Sequence, residues 1–275
     1  MEDLSKIVIS PVPVDGDAAP GVGFHNADLE SSRDRIIEGG TYRDCSTVCI
    51  MPTPRNGDLY YKVSDAKEGL MKPMNQKFVF HRVVGDEVGD AFTRGIQQVL
   101  EHPVLAKWKF ILTYEWDNIP PLDGLLSLIN AMTNGPWAAV GGLYWTKGEG
   151  GQPMIYGDPK SPEVNYYPQI PIPGAIQECR GIAMGFSLWD MNLFRDKRLW
   201  VDANGQSTGE VGKGQLFRTI QQYDPRTGAA NAGTQDLEFC GRAAALGYRF
   251  AVDNRCLVGH CQLEDTPTHS KGFVW

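Results

Sequence analysis

The 275-residue chain has no run of 18 consecutive apolar residues. That excludes a membrane-spanning helix from the reading. It has no excess of positive charge: 26 Lys and Arg stand against 33 Asp and Glu, a formal net charge of −7. A non-specific nucleic-acid surface needs a basic footprint, so nucleic acid is not an expected partner. A nucleotide is not excluded, because backbone N–H groups and a metal can hold one. The opening stretch "MEDLSKIVIS" is acidic and lacks the basic-then-apolar order of a signal peptide. The expectation is a soluble, cytoplasmic protein. No CxxC pair occurs among the six cysteines, Cys45, Cys49, Cys179, Cys240, Cys256 and Cys261. Several lie in apolar, strand-like runs, so they read as reduced, buried small hydrophobes and not as a zinc site with His260. There is no internal repeat.

With 42% hydrophobic and 21% charged residues, the composition is that of an ordinary globular protein, long enough for one large domain. Residues 1–45 read as an N-terminal extension, partly loop: an edge strand at "KIVIS", a Pro- and Gly-rich "PVPVDGDAAPGVG", and a short helix at "ADLESSRDRIIEGG". From Thr47 a rhythm sets in. "TVCIM", "KFVFHRVV", "KFILTYEW" and "WAAVGGLYW" read as strands, and "LYYKVSDAKEGLM", "DEVGDAFTRGIQQVLEH" and "LDGLLSLINAM" as the helices between them. This alternation predicts an α/β domain with a mostly parallel central sheet flanked by helices. A further helix at "TQDLEFCGRAAALG", with Thr234 as its cap and Gly247 at its end, precedes a strand at "YRFAVD". Residues 146–178 are rich in Pro, Gly and Tyr and read as a long, aromatic-bearing active-site loop.

Ligands of open parallel sheets bind beyond the carboxyl ends of the strands. Three segments fall there: "PTPRNGD", "EWDN" and "TKGEGGQP". In the second, Glu115 and Asp117 lie one residue apart, and on an extended segment they project together. Two adjacent carboxylates raise each other's pKa unless a positive group joins them. A hard divalent cation, Mg²⁺ or Mn²⁺, answers that need and carries substrate phosphates in the rest of its shell. Two solvated acids flanking a turn is the other reading of the spacing.

Six elements in order give the chain a resemblance to the GT-A-fold, nucleotide-sugar-dependent glycosyltransferases over residues 46–262. "TVCIMPTPR" resembles their first strand and nucleotide loop, and "AFTRGIQQVL" the helix whose arginine serves the nucleotide side. "FILTYEWDNIPP" resembles their DxD-type metal motif with Glu115 in place of the first Asp, and "VGGLYW" the strand after it. "ECRGIAMGFSLWDMNLF" resembles the Gly-rich donor segment, and "GTQDLEFCGRAAALGYRFAVDNRCLVGH" the closing acidic helix, strand and histidine. The resemblance implies a GT-A-like (Rossmann-like) fold, with a nucleotide-binding half at 46–118, a donor and acceptor half at 119–262 and a C-terminal tail at 263–275.

It also implies a metal-dependent hexosyltransferase that uses Mn²⁺ or Mg²⁺. The donor would be a nucleotide-diphosphate sugar, UDP before GDP, and the acceptor a carbohydrate or other hydroxyl. Asp117 and His260 would ligate the metal, with Glu115 on the metal or the ribose. Thr53, Pro54, Arg55, Asp65, Arg94 and Trp116 would line the nucleotide side, Met184, Gly185 and Phe186 the donor pocket, and Tyr144 and Trp145 the acceptor side. Asp236 would take the acceptor's proton. A sugar nucleotidyltransferase and a non-catalytic carbohydrate- or nucleotide-binding protein remain the rival readings.

Overall fold

The computed structural model describes residues 44–55, 61–147, 150–161, 164–224, 229–265 and 270–274, with the backbone alone for 221–233 and 262–274. The edge strand, loop and helix expected within 1–43 lie outside the described residues. The described residues from Cys45 onward belong to one unit.

The chain order is β1 (Thr47–Thr53), α1 (Tyr61–Gly69), β2 (Phe78–Val84), α2 (Val88–Glu101), β3 (Phe110–Tyr114), β4 (Asn118–Ile119), α3 (Gly124–Thr133) and β5 (Ala139–Leu143). Then come the short strands β6 (Ile155–Tyr156), β7 (Ile176–Cys179) and β8 (Gly181–Ile182), followed by β9 (Phe186–Asp190) and the single-turn α4 (Met191–Phe194). The chain closes with β10 (Ile220–Asp224), β11 (Ala229–Gly233), α5 (Gln235–Ala245), β12 (Phe250–Leu257), β13 (Gly259–Asp265) and β14 (Ser270–Val274). Among the described residues, no helix is long and apolar enough to cross a membrane.

The central sheet has seven strands in the order β2-β1-β3-β9-β5-β12-β7. β1 pairs in parallel with β2 and β3, and β12 with β5. β9 lies antiparallel between β3 and β5, and β7 is antiparallel at the edge. Five strands therefore share one direction, as a mostly parallel α/β sheet requires. β1, β3 and β5 are buried along their whole length, which matches strands covered on both faces.

Helices cover the two faces. α2 turns Phe92, Ile96 and Val99 onto one face of the sheet. Its Gly95 lets the helix backbone approach Ile50 and Val83 more closely than a Cβ would permit. Its start is fixed by Glu87, whose Oε2 accepts from the N–H groups of Gly89 and Asp90. This face holds an aromatic cluster of Trp189, Phe194, Phe217, Phe239 and Phe250. α3 covers the other face with Leu125, Leu128 and Ile129 against Leu112, Tyr114, Phe186 and Leu188. Along β9 the side chains alternate as a strand demands: Phe186 and Leu188 enter one core, Trp189 the other. Each such large side chain contributes roughly 1.5–3 kcal/mol by its burial.

Several expectations change. β9 was read as a Gly-rich segment and is a central strand. The glycine-rich region before α5 contains the hairpin β10–β11. The supposed C-terminal tail contains β14 and part of β13; β13 pairs antiparallel with both β14 and β4. The segment 146–178 is not a plain loop either. Tyr156 bridges Pro168, and the Arg180 side chain donates to the carbonyls of Asp158 and Ser161. Gln169 donates to the carbonyls of Gly157 and Glu178. At α5, Thr234 occupies the N-cap position with extended backbone, but its side chain makes no capping bond.

Candidate active site

β1, β3 and β5 run side by side or one strand apart, so their carboxyl ends open at one edge of the sheet. β1 delivers Thr53 and Pro54 there, and β3 delivers Glu115, Trp116 and Asp117. With Pro52, Asp86 and Val88 these residues line a cavity of about 310 Å³. The two acids do not sit on an extended segment, as their spacing suggested. β3 ends at Tyr114, and Glu115 to Asn118 form a turn in which the Asn118 N–H donates to the Glu115 carbonyl (3.3 Å). The convergence of the acids comes from this turn. It is held from outside by the Glu115 N–H, which donates to the Gly185 carbonyl (2.9 Å).

After the turn, β4 is only two residues long, and its partner is β13. His260 lies opposite Asn118, and the Cys261 N–H donates to the Asp117 carbonyl (2.7 Å). This register brings His260, 143 positions along the chain, against Asp117: its Nε2 stands 3.7 Å from Asp117 Oδ2. The ring is oriented on its other side, where Nδ1 donates to the Trp145 carbonyl (2.8 Å). A carbonyl only accepts, so Nδ1 carries a proton, and Nε2 is the ring nitrogen that faces Asp117. Tyr144 stacks edge-on against the imidazole at 5.4 Å.

Asp117 is 7% exposed. Burial would raise its pKa, but His260 and the Lys147 ammonium outweigh burial and hold it below the usual carboxylate range. Lys147 contacts Oδ2 directly. Oδ1 is buried and accepts from no protein donor. Glu115 goes the other way: burial first, then the charges of Asp117 and Asp236, push its pKa up to about 8. Asp236, at 8% exposed, is raised by burial, although the Thr234 hydroxyl and the Leu237 N–H (2.9 Å) bond its carboxylate. Its charge in turn raises Glu115, Tyr144 and Tyr156. The carboxylate at the start of α5 thus acts electrostatically on the cluster at the end of β3.

Several expected site residues lie elsewhere. Asp65 is exposed on α1 and does not line the cavity. Arg55 is exposed, with its Nε donating to the Gly85 carbonyl (3.4 Å). Arg94 pairs with Asp86 (2.5 Å), so it reaches the cavity through that acid and not by itself. Met184 and Phe186 are core side chains, 1% and 0% exposed, and do not form a pocket wall. Gly185 between them does touch the site: its N–H donates to the Tyr144 hydroxyl (2.7 Å). Tyr144 is 1% exposed and offers no open stacking face; Trp145 contributes its carbonyl and packs on the core.

Three participants were missed. Lys147 sits in "TKGEGG", a segment already placed at the mouth of the sheet, but no spacing marked that lysine. Asn118 is fully buried with both side-chain amide atoms unpartnered. Tyr156 enters from β6. Both depend on tertiary pairing that no local pattern reveals.

Asp117 and His260 form a donor pair that one divalent cation could bridge. Their 3.7 Å separation is below the roughly 4.2 Å that two ligands, each about 2.1 Å from one ion, can span. Among the described residues no group of three or more His, Cys, Asp or Glu side chains could hold a metal. The set fits an ion that keeps two protein ligands and takes water and phosphate oxygens for the rest.

No protein-family model matches the chain, and no curated protein matches it. Among solved structures it is similar to the crystal structure of A197 from STIV, with 14% identity and a TM-score of 0.49 over 83% of this chain and 93% of that one. The chemistry of the site itself remains to reason from.

Proposed function

We propose that the protein is a GT-A-like, metal-dependent glycosyltransferase. It moves a hexose from a nucleotide-diphosphate sugar, UDP before GDP, to a hydroxyl acceptor. The observation that carries this reading is the β4–β13 register, which sets His260 Nε2 against Asp117 at the rim of a cavity lined by the ends of β1 and β3.

Thr53, Pro54 and Trp116 border the space for the nucleotide. Asp117 and His260 would hold Mn²⁺ or Mg²⁺, which when bound neutralises charge on the departing diphosphate. Asp236 is the base for the acceptor hydroxyl. Its burial raises its proton affinity toward the range useful to a general base. The Leu237 N–H, bonded to Oδ1, and the Thr234 hydroxyl orient the carboxylate. Glu115, pushed up to about 8, stays protonated at neutral pH and can donate a hydrogen bond to the ribose or to phosphate.

The deciding experiment is calorimetric titration of UDP and of GDP with Mn²⁺ and again with chelator. One nucleotide should bind only with metal, and Asp117→Ala should abolish that binding. If neither nucleotide binds in the presence of Mn²⁺, the reading fails.

A further inference from the structure

Lys147 stands four residues beyond β5, next to Thr146, which pairs with Gln152. The Thr146 N–H donates to the Gln152 carbonyl and the Gln152 N–H to Thr146 Oγ1, both at 2.9 Å. Trp145 bridges Pro153 beside this pair. From there the lysine side chain, 36% exposed, reaches inward to Asp117, whose side chain is 10% exposed.

The two oxygens of Asp117 are not equivalent. Oδ1 is sealed and receives no donor. Oδ2 takes the Lys147 ammonium and also faces His260 Nε2 at 3.7 Å. A cation shared by Asp117 and His260 must therefore use Oδ2, the oxygen that Lys147 holds. Two cations on one carboxylate oxygen repel strongly in so dry a setting. Lysine is suited to leave: its charge is a compact point on a flexible four-carbon stem.

We propose that Lys147 is an exchangeable countercharge for Asp117. It neutralises the buried carboxylate while donor is absent and yields Oδ2 to the divalent cation. Its freed ammonium then pairs with the diphosphate that arrives with the metal. This inference rests on the transferase reading for its second half and on the Asp117 geometry alone for its first.

The test uses the full chain and the variants Lys147→Met and Lys147→Gln; the glutamine keeps a hydrogen bond to Asp117 if loss of the whole polar group impairs folding. Mn²⁺ alone is titrated calorimetrically, then UDP and GDP at saturating Mn²⁺. Both variants should bind Mn²⁺ about tenfold more tightly, since no ammonium competes for their carboxylate, and the nucleotide about tenfold more weakly. Mn²⁺ that binds the variants no more tightly than wild type overturns the exchange. Nucleotide affinity that survives the loss of Lys147 overturns the transfer to phosphate. The Mn²⁺ titration needs no nucleotide, so it judges Lys147 even if UDP and GDP both fail to bind and the transferase reading falls.

Discussion

Asp236 is held in the first turn of α5 at a cost. Burial raises its folded pKa above the unfolded value of about 3.9. Stability from such a group is fully present below the unfolded pKa and is lost as pH rises through the folded one. As pH rises above that unfolded value the buried carboxylate therefore becomes a burden, tolerable where function needs it. Asp236→Asn should melt at or above the wild-type temperature at pH 7.5. On the proposed transferase reading, its turnover should fall by a factor of about 10²–10⁴, with little change in donor KM. Thermal melts and steady-state rates check this; a lower melting temperature with intact turnover would contradict it. Gly185 makes the opposite point. A Cβ there would collide with the Tyr144 hydroxyl and with Asn118 Oδ1. Gly185→Ala should cost roughly 1–3 kcal/mol in urea unfolding, because both neighbours are buried and must shift. Asp117, His260 and Asp236 were legible as chemistry-bearing types at strand and helix ends. Lys147 and Asn118 were not, since their roles exist only once β5 and β13 have been laid beside the β3 turn.

Among the elements, those with a strong period or clear punctuation were read within a few residues. α2 was expected over 86–102 and spans Val88–Glu101, because its apolar residues repeat at helical spacing and Pro103 stops it. Its start also carries a testable cap. Glu87 Oε2 bonds two helix N–H groups, and Oε1 accepts from the Thr219 hydroxyl (3.0 Å), tying the cavity-lining 86–88 segment to the chain before β10. Glu87→Ala should cost about 1 kcal/mol and lower the melting temperature by roughly 2–4 °C. A melt unchanged within 1 °C, on the order of the smallest resolvable effect, would show the cap to be idle. β9 escaped notice for a physical reason. "FSLWD" is short and lies beside glycines, and nothing local says that it runs back between β3 and β5. β4, at two residues, is below any pattern. Yet it is the element that selects His260 as the partner of Asp117.

At the scale of the molecule, the acidic balance of −7 sets how the fold meets low pH. Some of its carboxylates are held ionised by donors that join distant elements. Burial would raise Asp253, but it is outweighed by Arg255, by the Ser127 hydroxyl of α3 (2.7 Å) and by the Arg255 N–H, so its folded pKa is lowered. Asp196 is drawn down to about 2, first by Arg198, with the Tyr248 hydroxyl bonding it from beyond α5. For such groups the sign is the reverse of Asp236. Their stabilisation is complete above the unfolded pKa of about 3.9 and is lost as pH falls through the folded value. The wild-type melting temperature should thus fall below about pH 4, with the Asp196 share persisting toward pH 2. Asp253→Asn removes one carboxylate of the set and leaves Arg255 without its ion pair, at roughly 1–3 kcal/mol. It should melt several degrees below wild type at pH 7, and the gap should close as the pH drops under about 4, where protonated Asp253 resembles asparagine. A gap of constant size across that range would mean that Asp253 acts through packing and not through charge. The sheet would then be joined to α3 by shape alone.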